Sequence, residues 1–324
     1  MAVDTKQKIV VTGAAGYIGG ETLLKLVDAG YDVLAIDRVM PPGHLIPVPC
    51  QWHTGDFSSD LSLDAIKRFC PDAIIHCAGT SLVGPSLEHP AEYYNNNFIK
   101  TKTLLDYLVK NHDKRPRFIF SSSAATYGNP IMTPVQEVDP SEPISPYGQS
   151  KLMIDWMLQS YQQAYGLDFV SFRYFNACGA DSQARHGQLP NATHIIARIL
   201  ESVRDGTSFT LYGIDYPTKD GTCVRDYIHV EDLAEAHIMA INPAIKSDIY
   251  NLGTNIGHSN LEVIQVAADV TKTAILHKDG PKREGDPAIL TADASRFMAA
   301  SSWTPKFNLK DMVQHAWNWY NKYV

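Results

Sequence analysis

An α/β fold built on a doubly wound parallel sheet, with a smaller α/β lobe attached, is what this sequence predicts. Three observations carry that expectation. Short β-branched or aromatic runs alternate with longer amphipathic ones through the first half of the chain. Polar or glycine-rich stations follow directly on the short runs, and beyond about Ala177 the pattern loosens into loops rich in Pro, Gly and Asp. A chain of 324 residues, 44% of them apolar, has enough material for one large core or two lobes.

The elements follow in order. Lys8–Thr12 reads as a buried strand, and Ile18–Ala29 as a helix with Leu23, Leu24, Leu26 and Val27 along one stripe and Gly30 as its C-terminal cap. Asp32–Ile36 and Ala73–Cys77 read as further strands, Glu92–Asn111 as a long helix, Arg117–Phe120 as a strand, Tyr147–Tyr165 as a second long helix and Phe169–Phe172 as a strand. This βαβ alternation calls for a parallel sheet wound in both directions. Residues 1–176 form the expected first domain, rejoined by about 225–252, where Val230–Ile241 looks helical and Tyr250–Leu252 looks like a strand. Residues 177–224 and 253–324 form the expected second lobe, which closes over the site.

Gly13–Gly19, Asp37, Asp56, Ala78–Gly79, Ser121–Ser123 and Tyr174–Asn176 each follow a predicted strand. In an open parallel sheet, ligands bind outside the carboxyl ends of the strands. Gly13, Gly16 and Gly19 are spaced three and three between a strand and a helix, the arrangement that brings backbone N–H groups and a helix N-terminus onto a pyrophosphate. Asp37 ends the next strand 24 residues after Gly13. A carboxylate there accepts from the adenosine ribose hydroxyls and repels a 2′-phosphate, so a Rossmann-type domain binding NAD rather than NADP is expected. Arg38 pulls the other way, because a guanidinium pairs with a 2′-phosphate. Asp56 has two readings, a partner for the adenine amino group or an N-cap for the following helix. Ala78 and Gly79 leave room for backbone contact with the cofactor, whereas His76 and Cys77 read as interior sheet residues.

Tyr147 and Lys151 lie one helical turn apart on one face. A free tyrosine, with a pKa of about 10, is too weakly acidic to serve as a base at neutral pH. A neighbouring ammonium and the positive nicotinamide ring favour the phenolate. Lys151 can also bond the nicotinamide ribose. Ser121, Ser122 and Ser123 end an apolar strand, and a hydroxyl there can share the substrate proton with Tyr147.

These motifs resemble the extended short-chain dehydrogenase/reductases and, within them, the UDP-galactose (UDP-glucose) 4-epimerases. The resemblance runs from Ile9 to about Trp319, through TGAAGYIGG (12–20), EYYNNN (92–97), FIFSSSAATYG (118–128), SPYGQSKL (145–152), RYFNACGA (173–180), YPTKDGTCVRDYIHVEDLA (216–234), YNLG (250–253) and REGDPA (283–288). It implies catalysis by Ser123, Tyr147 and Lys151. It also implies that Tyr17, Ile18, Asp56, Phe57, Asn97, Ser121 and Tyr174 join the glycines and Asp37 around NAD. Related dehydratases carry an Asp-Glu pair just after the strand-end hydroxyl, to remove water, and related decarboxylases tend to place a Glu there. Here the positions are Ala124 and Ala125, which leaves reversible oxidation.

For the UDP-sugar, Arg225 and Arg283 offer guanidinium forks that match phosphate oxygens. By resemblance Asn176 bonds a phosphate or the sugar, Asp286 the ribose, and Tyr227 lines the site. His194 and Ile195 match the family's uracil-side contacts, and Thr210–Tyr212 flanks the base, Thr210 and Tyr212 included. Two departures bear on substrate. Ser81 stands where many 4-epimerases have a lysine near the cofactor phosphates, and Leu290 where many glucose-only members have a tyrosine beside the C2 substituent, which opens the pocket to N-acetylhexosamines. A UDP-pentose or UDP-uronate 4-epimerase, a nucleotide-sugar dehydrogenase and a non-enzymatic NAD-sensing protein remain as alternatives. The resemblance also implies a homodimer through Glu92–Asn111 and Tyr147–Tyr165 packed as a four-helix bundle.

Other readings are set aside on the same residues. The net charge of −7, with acids and bases interspersed, argues against a nucleic-acid surface, and no apolar run approaches the ~20 residues of a membrane helix. Five scattered cysteines lack the pairing of a zinc site or a disulfide scaffold and suit a reducing compartment, the cytoplasm. His229–Asp232 reads as a capped helix start rather than a metal site, and Trp303 and Trp317–Tyr320 as packing.

Overall fold

The computed structural model describes residues 6–323, apart from 41, 46–47, 112–113, 191 and 283–285. Contacts divide the chain into two compact units. One comprises Met1–Thr126, Ser145–Arg173 and Ala234–Tyr250, the other Tyr127–Ile144, Tyr174–Leu233 and Asn251–Val324. The segment expected to rejoin the first unit is therefore narrower than 225–252, and Tyr127–Ile144 goes to the second.

The first unit is organised by a seven-stranded sheet. From one edge its strands run Gln51–Thr54, Asp32–Asp37, Lys8–Thr12, Ala73–His76, Arg117–Ser121, Phe169–Tyr174 and Asp248–Leu252. Every pairing from Gln51–Thr54 to Phe169–Tyr174 is parallel. The order reverses at Lys8–Thr12, where Val10 lies opposite Leu34 on one side and Ile74 on the other. That reversal is the switch point at which doubly wound sheets open a crevice. The central strands are mostly apolar runs because helices cover the sheet, and Val10, Ile74, Phe118, Phe120 and Phe169 meet Leu104, Leu105, Leu108, Ile154 and Leu158 in one buried cluster. The edge strand Gln51–Thr54, by contrast, is partly exposed.

Two helices present the chemistry. Pro146–Tyr165 starts where Ser145 accepts from the Gly148 N–H at 3.2 Å, has Pro146 in its first turn and stops at Gly166, whose left-handed φ is 67°. The segment expected as one helix over Glu92–Asn111 is less regular. Pro90–Tyr93 is α-helical, Tyr94–Ile99 is a π-helix and Lys100–Asn111 returns to α. The wider π turn shifts the angular phase of all that follows, a change no apolar periodicity announces. The helix Asp60–Phe69 is capped by Ser59, which accepts from the Ser62 N–H. The capping reading of Asp56 is thereby corrected: its carboxylate takes the Ser58 N–H (3.0 Å) and hydroxyl (2.8 Å) instead.

The second unit has shorter strands. Val224–His229 is central, with Asn176–Cys178 and Ile289–Leu290 parallel beside it and Gly257–Ser259 antiparallel. Phe209–Tyr212 pairs with His277–Gly280 in a separate ribbon. Helices Ile195–Asp205, Asn260–Thr271 and Leu309–Tyr323 enclose a core of Ile196, Leu200, Tyr227, Val263, Val313 and Trp319. Asp226 ties the loops together by accepting from the N–H groups of Thr254, Asn255 and Ala292. The helix after His229 begins as expected, the imidazole Nδ1 accepting from the Glu231 N–H at 3.0 Å. Trp303 and Trp319 are fully buried, so the aromatic end of the chain is packing.

Candidate active site

A cleft lies at the carboxyl ends of the first unit's strands. It is lined by Gly13 and Gly16 after the first strand, Asp37 and Arg38 after the second, Gly55, Asp56 and Phe57 after the third and Cys77, Ala78 and Gly79 after the fourth, together with Ile36, Asn96 and Lys100. Gly13 adopts φ +72°, and a Cβ there would sit 2.7 Å from the Ala78 nitrogen, so only glycine lets the loop and the neighbouring strand end approach this closely. Gly19 is tighter still. Its Cβ would lie 2.1 Å from the Gly13 carbonyl oxygen, so its role is to seat the helix on the glycine loop itself. The helix Tyr17–Asp28 begins at Gly16 with no side chain capping it, which leaves first-turn N–H groups for an anion.

Asp37 is held at the strand end by the Ala15 N–H on one oxygen (3.0 Å) and the Val39 N–H on the other (3.2 Å). A cleft lined by the glycine loop at an uncapped helix start, with a fixed carboxylate one strand further, fits a dinucleotide. Of the residues expected around it, Gly13, Gly16, Asp37, Asp56, Phe57, Ala78 and Gly79 line the cleft. Asn97 instead braces its wall: its side-chain oxygen accepts the Thr80 N–H at 2.7 Å and its amide donates to the Thr80 carbonyl and the Ser150 hydroxyl. Tyr17 and Ile18 open the adjoining helix, and Tyr174 ends its strand in the second unit. His76 is interior as expected, held between the Thr12 and Thr101 hydroxyls, and burial brings its imidazole down to about 3. Cys77, expected inside the sheet, lines the cleft instead, although burial pushes its thiol up to about 11.

The group expected to transfer protons, Ser123, Tyr147 and Lys151, stands beside this cleft. Lys151 is 5% exposed, donates to the Ser121 carbonyl at 2.7 Å and sits 4.7 Å from the centre of the Phe120 ring. A Cβ on Gly79 would come within 3.8 Å of its Nζ, which places the ammonium at the cleft wall. Burial lowers its pKa to about 8, with Cys77 and Asp155 opposing that fall. Tyr147 meets Tyr93 edge-on at 6.4 Å, while Tyr93 donates to the Ser81 carbonyl at 2.9 Å. Burial raises the Tyr147 phenol, and a hydrogen bond with Ser123 works against that rise. Ser123 is held in turn by the Ala125 N–H at 3.1 Å. The three serines divide their work. Ser121 supplies the carbonyl for Lys151, Ser122 bonds the buried Asp155 that pairs with Arg173, and Ser123 faces Tyr147.

In the second unit Arg225 is 8% exposed and paired with Asp286, and Leu290 lies opposite it in the neighbouring strand. Tyr227 shares the Arg225 face but is buried in the core, its hydroxyl 3.4 Å from Asn260. Asn176 donates to the Asp226 carbonyl. His194 begins the helix that includes Ile195 and contacts Gln188 at 3.1 Å. Thr210 and Tyr212 lie in the two-stranded ribbon, opposite Lys278 and Gly280. Arg283 lies outside the described residues. Sequence reasoning missed Gly55, Asn96 and Lys100 as cleft residues. Asn96 lies in the EYYNNN motif, which was the available signal for it, whereas Lys100 follows the π turn, whose change of phase a face count along the helix does not anticipate.

Residues 9–253 match the family model described as NAD dependent epimerase/dehydratase family. A UDP-glucose 4-epimerase of Halalkalibacterium halodurans is 43% identical over 323 residues, covering 97% of this chain and 96% of the relative. Among solved structures, UDP-glucose 4-epimerase from Brucella ovis in complex with NAD has a TM-score of 0.91 at 35% identity, over 96% of this chain and 98% of that one. The UDP-Glc/GlcNAc 4-epimerase of Campylobacter jejuni has a TM-score of 0.83 at 33% identity, over 98% of this chain and 99% of that one.

Proposed function

This chain belongs to the NAD dependent epimerase/dehydratase family, and from that premise we propose that it interconverts UDP-glucose and UDP-galactose as an NAD-dependent 4-epimerase. The observation that carries the reading is the Ser123–Tyr147–Lys151 group beside the dinucleotide cleft, with alanine at 124 and 125. Bound in the cleft, NAD supplies a reversible store for one hydride. Tyr147 takes the C4 hydroxyl proton as the C4 hydride leaves, and Ser123 shares that proton through its hydrogen bond. Lys151, charged below about pH 8, stabilises the phenolate that burial alone would disfavour. The resulting 4-keto sugar turns about its phosphate bonds and regains the hydride on its other face. Tyr147 then returns the proton, so the cycle consumes nothing. No carboxylate follows Ser123 to drive loss of water, so the chemistry stops at epimerisation.

The nucleotide part of the substrate is assigned to Arg225, Arg283, Asp286 and Asn176, with His194, Ile195, Thr210 and Tyr212 on the uracil side. Asp286 neutralises Arg225 in this structure, and substrate phosphates would take over that guanidinium. A second reading concerns the sugar: half-buried Leu290 beside Arg225 leaves space at C2, so UDP-N-acetylglucosamine is turned over as well. Trp156 (57% exposed) and Ile99 (49%) lie on the two long helical segments and suit a homodimer interface, and five unpaired cysteines suit the cytoplasm. Incubation with UDP-galactose and no added reductant, followed by assay for UDP-glucose, tests the reading; absence of the epimer at any enzyme concentration rejects it.

A further inference from the structure

Lys100 is half-buried in the cleft wall, its ammonium 2.6 Å from Asp56 Oδ2, the side chains 23% and 26% exposed. A partly buried ion pair contributes little net stability, because desolvation offsets its attraction, so fold maintenance is a poor reason for one at this place. Its position is specific. Asn96 and Lys100 lie one turn apart where the π-helix Tyr94–Ile99 passes into the α-helix Lys100–Asn111, and both line the cleft. Asp37 and Arg38 line the same cleft.

The Asp56 carboxylate is held in three directions. One oxygen accepts the Ser58 N–H and hydroxyl, the other the Lys100 ammonium. A carboxylate has about four acceptor sites, so about one is left for a ligand in the cleft. Without Lys100 the outer oxygen would be free to turn toward solvent, and covering it with a bound base would leave a desolvated charge without a counter-ion. We propose that Lys100 is a positioning residue for the cofactor: it fixes and neutralises the Asp56 carboxylate so that its remaining acceptor site meets the adenine amino group. This rests on the reading of the cleft as an NAD site with Asp56 at the adenine end. Lys100 touches Asp56, and its effect on the dinucleotide passes through that carboxylate.

Exchange of bound NAD for isotopically labelled NAD, followed on the holoprotein, tests the proposal without any assay of turnover. Lys100→Met is expected to speed release about tenfold, the scale of one charge-assisted hydrogen bond, and Lys100→Arg to restore the slow rate. Asp56→Ala should release NAD at least as fast, and the Asp56→Ala/Lys100→Met double variant no faster than Asp56→Ala alone. Release at the wild-type rate in Lys100→Met overturns the proposal, as does a double variant whose effects add, which would make Lys100 an independent contact. If Asp56→Ala itself releases NAD at the wild-type rate, the adenine reading falls and the proposal with it. Melting temperatures of the variants separate any loss of fold from a change in release.

Discussion

Burial acts on Tyr147 and Lys151 in opposite senses. It raises the phenol of the first and lowers the ammonium of the second to about 8. Tyr147→Phe is expected to lower turnover by about 10²- to 10⁴-fold, the usual scale of acid–base catalysis, with bound NAD unchanged in the purified protein; steady-state rates and dinucleotide content read the two effects separately. Lys151 also leaves a signature in stability. Its folded pKa of about 8 lies below the ordinary lysine value, so the folded state binds fewer protons between about pH 8 and 10.4. Stability from this group is therefore fully present above the upper limit and lost as pH falls to about 8, a change on the order of 3 kcal/mol. Denaturant titrations should show that rise with pH in the wild type and its absence in Lys151→Met; parallel curves would refute the assigned burial. At this scale the Tyr/Lys pair was legible from its spacing together with the serine run after a strand, and the choice of Ser123 within that run came from the family resemblance. The split of tasks among Ser121, Ser122 and Ser123 was not, because it depends on which neighbour each side chain meets.

Elements with a strong period or a cap were read nearly to the residue. The Tyr147–Tyr165 helix was read to within a residue of its start, and the structure adds its caps at Ser145 and Gly166, while the first strand and helix were marked by the glycine loop between them. Gly19→Ala would drive a Cβ into the Gly13 carbonyl, so the variant is expected to lose bound dinucleotide and to melt at a lower temperature. A variant purified with its full complement of NAD would contradict that seating. Ser145→Ala removes the cap beneath Tyr147 and should cost about 1 kcal/mol by chemical denaturation. The π-helix at Tyr94–Ile99 escaped the sequence because one extra residue per turn changes neither composition nor caps. Its consequence, Lys100 in the cleft, escaped with it.

Across the whole molecule legibility follows strand length. Six strands of the seven-stranded sheet announce themselves through runs of four to six residues, whereas Gln51–Thr54, polar and partly exposed, was not read as a strand. In the second unit Asn176–Cys178, Gly257–Ser259 and Ile289–Leu290 are two or three residues long, too short for any period, and are arranged around Val224–His229. The Arg225–Asp286 pair joins residues 61 apart, which no local pattern reveals. Exposed Trp156 gives the proposed assembly a direct check: Trp156→Glu should shift the sedimentation coefficient from dimer to monomer, and an unchanged value would move the interface elsewhere. The central claim is that one hydride leaves C4 and returns to C4 within a single bound cycle. UDP-galactose carrying deuterium at C4, turned over in ordinary water without added cofactor, should yield UDP-glucose that keeps the deuterium at C4. Loss of the label to solvent, or accumulation of reduced cofactor in place of the epimer, would contradict it.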